Sequence, residues 1–436
     1  MRLHLLTLFL VIFFFQFGNA QSFTAYFTGN TNNIVTSPMG GICMMGGSTE
    51  EDEAMKWFLE RANGGDVLVI RASGSDGYNE YMYAELGIPV NSVETIVWNE
   101  AAASEEVYIH TKIRNAEAIW IAGGNQWNYV SFWRDTAIDS LINAGITERN
   151  IVIGGTSAGM AILGGYYFSA ENNTITSESA LANPYDPNAT VDSQPFLDNA
   201  ILSDVITDTH YDDPDRKGRH VTFLARILTD YGINARGIAC DEFTAVCIGA
   251  DGIAHVYGQY PDFDDNAYFI QTNCELDDFT PENCSDGNTL NWNREGKAIK
   301  TYAVKGTLDG TNTFDLKDWK TGNGGVWQNW YVDNGSFMEE EGGEPECVTV
   351  STSIVDEMKI NIFPNPVRNS INLECQGCDG RFSISLMNAL GQVCHSQITN
   401  SINNLTLDVD QLANGLYTMR VRSNSNVQDY PVLIIN

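Results

Sequence analysis

The stretch "NIVIGGTSAGM" (150–160) constrains this fold more than any other part of the chain. Its first half is a short, β-branched apolar run, as expected of a parallel strand buried on both faces. Its second half sets Gly155, Ser157 and Gly159 in the pattern G-x-S-x-G. In that pattern a strand turns sharply and leaves the serine hydroxyl exposed. A large side chain two positions before or after the serine would strike neighbouring backbone, so small residues are required there. The apolar residues that follow are expected to open a helix, with the Ala158 N–H at its start, free to meet an oxyanion. The plainer alternative is a Gly-rich strand–helix turn with an idle serine.

Other segments extend the same rhythm. "EDEAMKWFLERANGG" (51–65) has helical spacing of Met55, Phe58 and Leu59 and a glycine stop. "DVLVIRAS" (66–73) and "AEAIWIAGGNQ" (116–126) are further apolar, strand-like runs. Strands alternating with helices predict a doubly wound, mostly parallel sheet whose site lies at the carboxyl ends of the strands. After about Gly237 the pattern changes to hairpins, with an Ala-Asp-Gly turn inside "CIGADGIAHVYG".

The two ends differ from this α/β region. "MRLHLLTLFLVIFFFQFGNA" has Arg2, an apolar run and small residues before Gln21, and reads as a signal peptide (1–20). The α/β region is read as 21–340, followed by an acidic, then Ser/Thr-rich linker at 341–357. The remainder, 358–436, alternates short strands with Asn/Gly turns and predicts a small all-β sandwich. Its motifs "FPNP" (363–366), "NALGQ" (388–392) and "LANGLYTMRV" (412–421) resemble the C-terminal sorting domain of the type IX secretion system. That resemblance implies export through the periplasm to the outer-membrane surface or the medium, with the type IX machinery as partner.

Charge and cysteine content narrow the rest. The chain carries 24 Lys+Arg against 56 Asp+Glu, a net charge of −32. Such acidity excludes nucleic acid, which needs a basic surface, and serves solubility first. Cys43, Cys240 and Cys247 lie in apolar runs and read as small buried hydrophobes. Cys274 and Cys284 flank an acidic loop and are candidates for pairing in an oxidising compartment. "CQGC" (375–378) has no second pair at zinc-finger spacing, so no metal or other cofactor is expected.

A serine nucleophile requires a base and an acid that orients it. His110 and His255 lie in strand-like runs and read as structural. His210 stands where the apolar run "DVITD" gives way to the charged cluster "DDPDRKGRH", where an open sheet presents catalytic groups. His220 is the weaker rival. Asp241 and Glu242, in "GIACDEFTAV", are the best-placed acids. Asp192, Asp198 and Asp204 would instead give the order serine, acid, histidine of an α/β-hydrolase.

Four separated stretches resemble the cyanophycinase and dipeptidase E family of serine peptidases: "GGNQ" (123–126), "GGTSAGM" (154–160), "DTHYDDPDRKGRH" (208–220) and "CDEFTA" (240–245). "GGICMMGG" (40–47) looks like the family's first strand. The resemblance implies a class I glutamine-amidotransferase-like α/β fold with a Ser-His-Glu triad. Ser157 then matches the nucleophile, His210 the base and Glu242 the orienting acid. Gly124 and Ala158 match the oxyanion donors. Gln126, Asp208, Arg216 and Arg219 match residues lining the substrate site.

One departure bears on specificity. The family pattern has an arginine where this chain has Pro214, and Asp212 and Asp213 add negative charge. The implied activity is therefore hydrolysis of peptide or isopeptide bonds at aspartyl residues, with cyanophycin itself in question. A surface binding protein on the same scaffold and an α/β-hydrolase esterase are the alternatives. A homodimer is one assembly open to the chain.

Overall fold

The computed structural model describes residues 21–192, 196–346, 360–375, 379–388, 393–402, 405–422 and 427–435. The expected signal segment, most of the expected linker and positions 389–392 of "NALGQ" lie outside the described residues. The chain divides into two compact units, Met1–Cys347 and Val348–Asn436.

In the first unit the strands are β1 (Phe23–Gly29), β2 (Gly41–Met45), β3 (Asp66–Arg71), β4 (Ser92–Trp98), β5 (Ala118–Ile121), β6 (Val152–Thr156), β7 (Tyr167–Phe168), β8 (Val191–Asp192) and β9 (Val205–Asp208). They continue with β10 (Arg236–Cys240), β11 (Ala245–Ile248), β12 (Ile253–Tyr260), β13 (Asn266–Thr272), β14 (Ile299–Lys305), β15 (Asn312–Asp315), β16 (Gly322–Asn323), β17 (Gly325–Asp333) and β18 (Ser336–Glu341). The α-helices are α1 (Asp52–Arg61), α2 (Gly77–Glu80), α3 (Val107–Asn115), α4 (Gln126–Trp133), α5 (Ala137–Arg149), α6 (Ser177–Ala182) and α7 (Lys217–Tyr231).

The apolar runs of the N-terminal half form the heart of a ten-stranded sheet ordered β1-β4-β3-β5-β6-β2-β11-β12-β15-β16. The five strands from β4 to β2 are parallel to one another, and the flanking strands run antiparallel. β3, β5 and β6 are buried almost end to end, which explains their near-continuous apolar sequence. Helix α1 begins at Glu51, whose carboxylate accepts from the Glu53 and Ala54 N–H groups. It buries Met55, Phe58 and Leu59 against one face of the sheet. Helix α5 ends on Asn150 in the left-handed region, φ 55°, and the chain turns directly into β6.

A second sheet, ordered β18-β17-β14-β13-β10-β9, packs beside the first. Only the β9–β10 pair in it is parallel. The doubly wound expectation thus holds for the first sheet, and a second, largely antiparallel one joins it. Ile238, Ala267 and Phe269 of the second sheet share one apolar core with Ile42, Ile121 and Ile153 of the first. The chain crosses between the sheets at residues 241–244, from β10 to β11.

Cys43, Cys240 and Cys247 are buried thiols, as expected of small apolar residues. The Cys274–Cys284 expectation does not hold: Cys274 is in a disulfide, whereas Cys284 keeps its thiol. Cys375 of "CQGC" is also disulfide-bonded.

The second unit has a three-stranded sheet, β19 (Ile360–Phe363), β20 (Ser370–Cys375) and β23 (Leu405–Asp408), in the order β19-β20-β23. Its four-stranded sheet is ordered β22 (Val393–Ser401), β21 (Asp379–Met387), β24 (Gly415–Arg422), β25 (Val427–Ile434). Ile371, Leu373 and Leu407 from one sheet meet Ile384, Met419 and Val432 from the other in a single core, the packing of a β-sandwich.

Candidate active site

The glycines around Ser157 are demanded by contact. A Cβ on Gly155 would stand 2.7 Å from the Gly159 carbonyl carbon, and one on Gly159 would stand 2.0 Å from the Ile121 carbonyl oxygen. The backbone is therefore squeezed between β5 and its own turn. Ser157 sits in the left-handed region, φ 51°, which costs a non-glycine residue of order 1–3 kcal/mol and marks a functional turn. Its N–H donates to the Met45 carbonyl at 3.1 Å and its carbonyl accepts from the Ala161 N–H at 2.9 Å.

The expected helix after the turn is absent. Only the short 3₁₀ segment Met160–Ile162 follows. Gly164 and Gly165 lie so close to the Val205 and Ser203 carbonyls that a Cβ would stand 2.5 and 2.3 Å away, and this close backbone contact ends the helical turn. A helix dipole behind the Ala158 N–H is accordingly not part of the site. The N–H itself meets no protein acceptor among the described residues.

His210 follows β9 and is also left-handed, φ 46°. Its N–H donates to the Gly46 carbonyl at 2.9 Å. Its Nδ1 lies 2.5 Å from Glu242 Oε1, and its Nε2 lies 2.7 Å from Ser157 Oγ. A carboxylate only accepts, so Nδ1 carries the proton and Nε2 is left to accept from the serine hydroxyl. The Glu242 carboxyl is held below its usual range, first by the Ser48 hydroxyl and then by His210, with burial opposing them. It stays ionised beside the imidazole. Its backbone N–H donates to Asp212 Oδ1 at 3.1 Å, which fixes the crossing loop.

The remaining titratable candidates are elsewhere. Asp241 turns away from His210, and its Oδ2 accepts from the Asn266 N–H at 2.8 Å. Asp192 pairs with Arg134 and Asp204 with Arg236. Asp198 is exposed, and its N–H donates to Asn143 Oδ1 at 2.7 Å. His110 and His255 bond the Ser104 and Gly310 carbonyls. His220 is fully buried in α7, and burial pushes its pKa down to about 4.

The expected substrate residues separate into two groups. Arg219 and Asp208 are 3 % and 2 % exposed. Their side chains form a two-pronged ion pair, Nε to Oδ2 at 2.9 Å and Nη2 to Oδ1 at 2.5 Å. Burial would raise the Asp208 carboxyl, but the Arg219 guanidinium more than reverses this and holds it low. The two side chains are thus enclosed and spend their charge on each other. Arg216 and Gln126 are only half-buried. Arg216 donates to the Thr209 carbonyl at 2.9 Å, and its buried Nε meets no partner among the described residues. Gln126 opens α4 and reaches the Phe168 carbonyl at 3.4 Å.

Gly124 belongs to the turn between β5 and α4. A Cβ on its neighbour Gly123 would lie 3.6 Å from Ser157 Cβ, so this turn flanks the serine. Residues that sequence reading missed are Gly46, Gly47 and Ser48, which wall and bond the histidine and glutamate. Their only signal was the double glycine after β2.

A serine on a strained turn at a strand end, in line with an imidazole and a carboxylate, on a mixed α/β sheet, defines the serine-hydrolase class of site. Residues 42–256 match the sequence model of Peptidase family S51. Residues 361–436 match the secretion system C-terminal sorting domain, so the chain is exported to the cell surface or the extracellular space. The cyanophycinase of Synechococcus elongatus is 24 % identical over 230 residues, covering 50 % of this chain and 66 % of that protein. The cyanophycinase of Trichormus variabilis is 23 % identical over 178 residues, covering 41 % and 54 %. The chain thus spans just under two thirds of the first relative and about half of the second. Among solved structures, a peptidase from an acI-B1 Actinobacterium aligns with TM-score 0.38 at 14 % identity, over 51 % of this chain and 89 % of that one. A putative peptidase E protein from Listeria monocytogenes aligns with TM-score 0.32 at 19 % identity, over 51 % and 99 %.

Proposed function

We propose that the exported chain is a serine peptidase in which Ser157, His210 and Glu242 act as a triad. The observation that carries this is the unbroken line of hydrogen bonds from Ser157 Oγ through the imidazole to Glu242. His210 Nε2 takes the serine proton as Oγ attacks a carbonyl carbon. The tetrahedral oxyanion is received by the N–H groups of Gly124 and Ala158. His210 then protonates the leaving amine, and water hydrolyses the acyl-enzyme by the same route in reverse. Glu242 holds the tautomer and offsets the charge on the imidazolium.

The likeness to cyanophycinases supports the substrate class, and the guanidinium of the half-buried Arg216 suits a carboxylate. Aspartyl and isoaspartyl peptides are the proposed substrates. The type IX machinery is the proposed export partner, through the sandwich unit. Purified chain and its Ser157→Ala variant, assayed on cyanophycin, β-Asp-Arg and α-Asp dipeptides, test the proposal. Hydrolysis in the parent and its loss by at least about 10³-fold in the variant are expected. Undiminished hydrolysis in the variant would refute the mechanism.

A further inference from the structure

The turn that supplies the Gly124 N–H is tied down from behind by a single side chain. Tyr129, one turn into α4, is fully buried. Its hydroxyl lies 2.9 Å from the Ala122 carbonyl and 3.0 Å from the Gly123 carbonyl. The ring cannot swing away: it stacks on Trp133 at 4.6 Å and 7°. Trp133 in turn meets the edge of Trp98 at 5.2 Å. The approach is close enough that a Cβ on Gly124 would stand 2.6 Å from the Tyr129 hydroxyl.

In a trans peptide the C=O and the following N–H point in opposite directions. A Gly123 carbonyl held toward Tyr129 therefore turns the Gly124 N–H away from it, on a turn whose Gly123 flanks Ser157. Glycine backbone has little preference of its own, so without this anchor the Gly123–Gly124 peptide can rotate and withdraw its donor. Oxyanion catalysis depends on the donor being fixed before the reaction.

We infer that the Tyr129 hydroxyl is a positioning residue for the oxyanion site, holding the Gly123–Gly124 peptide so that the Gly124 N–H faces the Ser157 reaction centre. This rests on Ser157 being the nucleophile. Tyr129 touches no substrate and acts only through the peptide it holds.

The test is the second-order rate at which a fluorophosphonate labels Ser157 in the full chain, where the phosphonyl oxygen takes the oxyanion's place. Tyr129→Phe should lower the rate by about 10- to 100-fold, less than outright loss of a donor. The pH profile of labelling should keep its midpoint, because the His210–Glu242 pair is untouched. Trp133→Phe, which loosens the same aromatic stack but leaves the hydroxyl, should label within about threefold of the parent. Should Tyr129→Phe fail to fold, 4-fluorophenylalanine at position 129 fills the space of the hydroxyl without a proton to donate, and the same loss is expected. Equal labelling of the parent and of the folded hydroxyl-free chain, or a matching loss in Trp133→Phe, would overturn the role of Tyr129. Absence of labelling in the parent would instead overturn the nucleophile reading beneath it.

Discussion

Gly47 stands against the face of His210: a Cβ at this glycine would lie 2.4 Å from both Cε1 and Nε2 of the imidazole. The same residue has φ +127°, a conformation that side chains rarely adopt, and its carbonyl accepts from the Phe243 N–H at 3.3 Å. Gly47 therefore closes one wall of the histidine's slot while tying β2 to the loop that carries Glu242.

Gly47→Ala should displace the ring from Ser157. Fluorophosphonate labelling is expected to fall at least tenfold, since a 1 Å misplacement of a reacting group is costly. Strain at the backbone should add a loss of stability of about 1–3 kcal/mol, read as a lower denaturation midpoint. Unchanged labelling would show that the slot yields without moving the imidazole.

Asp241 gives the chain a pH-dependent stability. Burial pushes its pKa up to about 7, with Asn266 opposing and Asp212 reinforcing the rise, and its Oδ1 is buried with no partner among the described residues. The folded chain thus holds a proton that the unfolded chain releases near pH 4. Stability falls as pH rises from about 4 to about 7 and levels above that. Asp241→Asn should flatten this part of the curve and gain about 3 kcal/mol at pH 8 relative to pH 4.5. Urea denaturation across that range is the check.

The Asp208–Arg219 pair should prove costly to break and cheap to replace. Asp208→Asn leaves a buried guanidinium short of its counter-charge, and a loss of about 3–5 kcal/mol is expected. A combined Asp208→Leu, Arg219→Met exchange should lose markedly less. Because Asp208 is held low, its stabilising contribution persists through mildly acid pH and disappears only below the ordinary carboxylate range.

Cys43 and Cys247 face each other across β2 and β11 with sulfurs 3.6 Å apart, both fully buried. Burial raises the Cys247 thiol well above its ordinary value. Neither should react with iodoacetamide in the folded chain, and both should react promptly in denaturant. Rapid alkylation of the native protein, read by mass spectrometry, would contradict the packing of this strand pair.

What the sequence revealed was whatever depends on neighbours in the chain. "DVLVIR", "AIWI" and "NIVIGG" announced buried parallel strands because burial on both faces leaves no polar alternation. The G-x-S-x-G turn was legible because its sterics are local. The division into two sheets was not, since the Asp241–Thr244 segment looks like any short link between strands. The pairing of Asp208 with Arg219 was not legible either, since two charges eleven residues apart do not show in the sequence that they bury each other. The helix predicted after Ser157 failed for a related reason: the carbonyls of Ser203 and Val205 that crowd Gly164 and Gly165 come from about forty residues away.

Ser157 hangs from the ten-stranded sheet, His210 from the six-stranded one, and Glu242 from the crossing between them. No single sheet holds the set, so the alignment exists only while the two faces remain docked. A working triad would therefore report that both sheets of the α/β unit are docked in register.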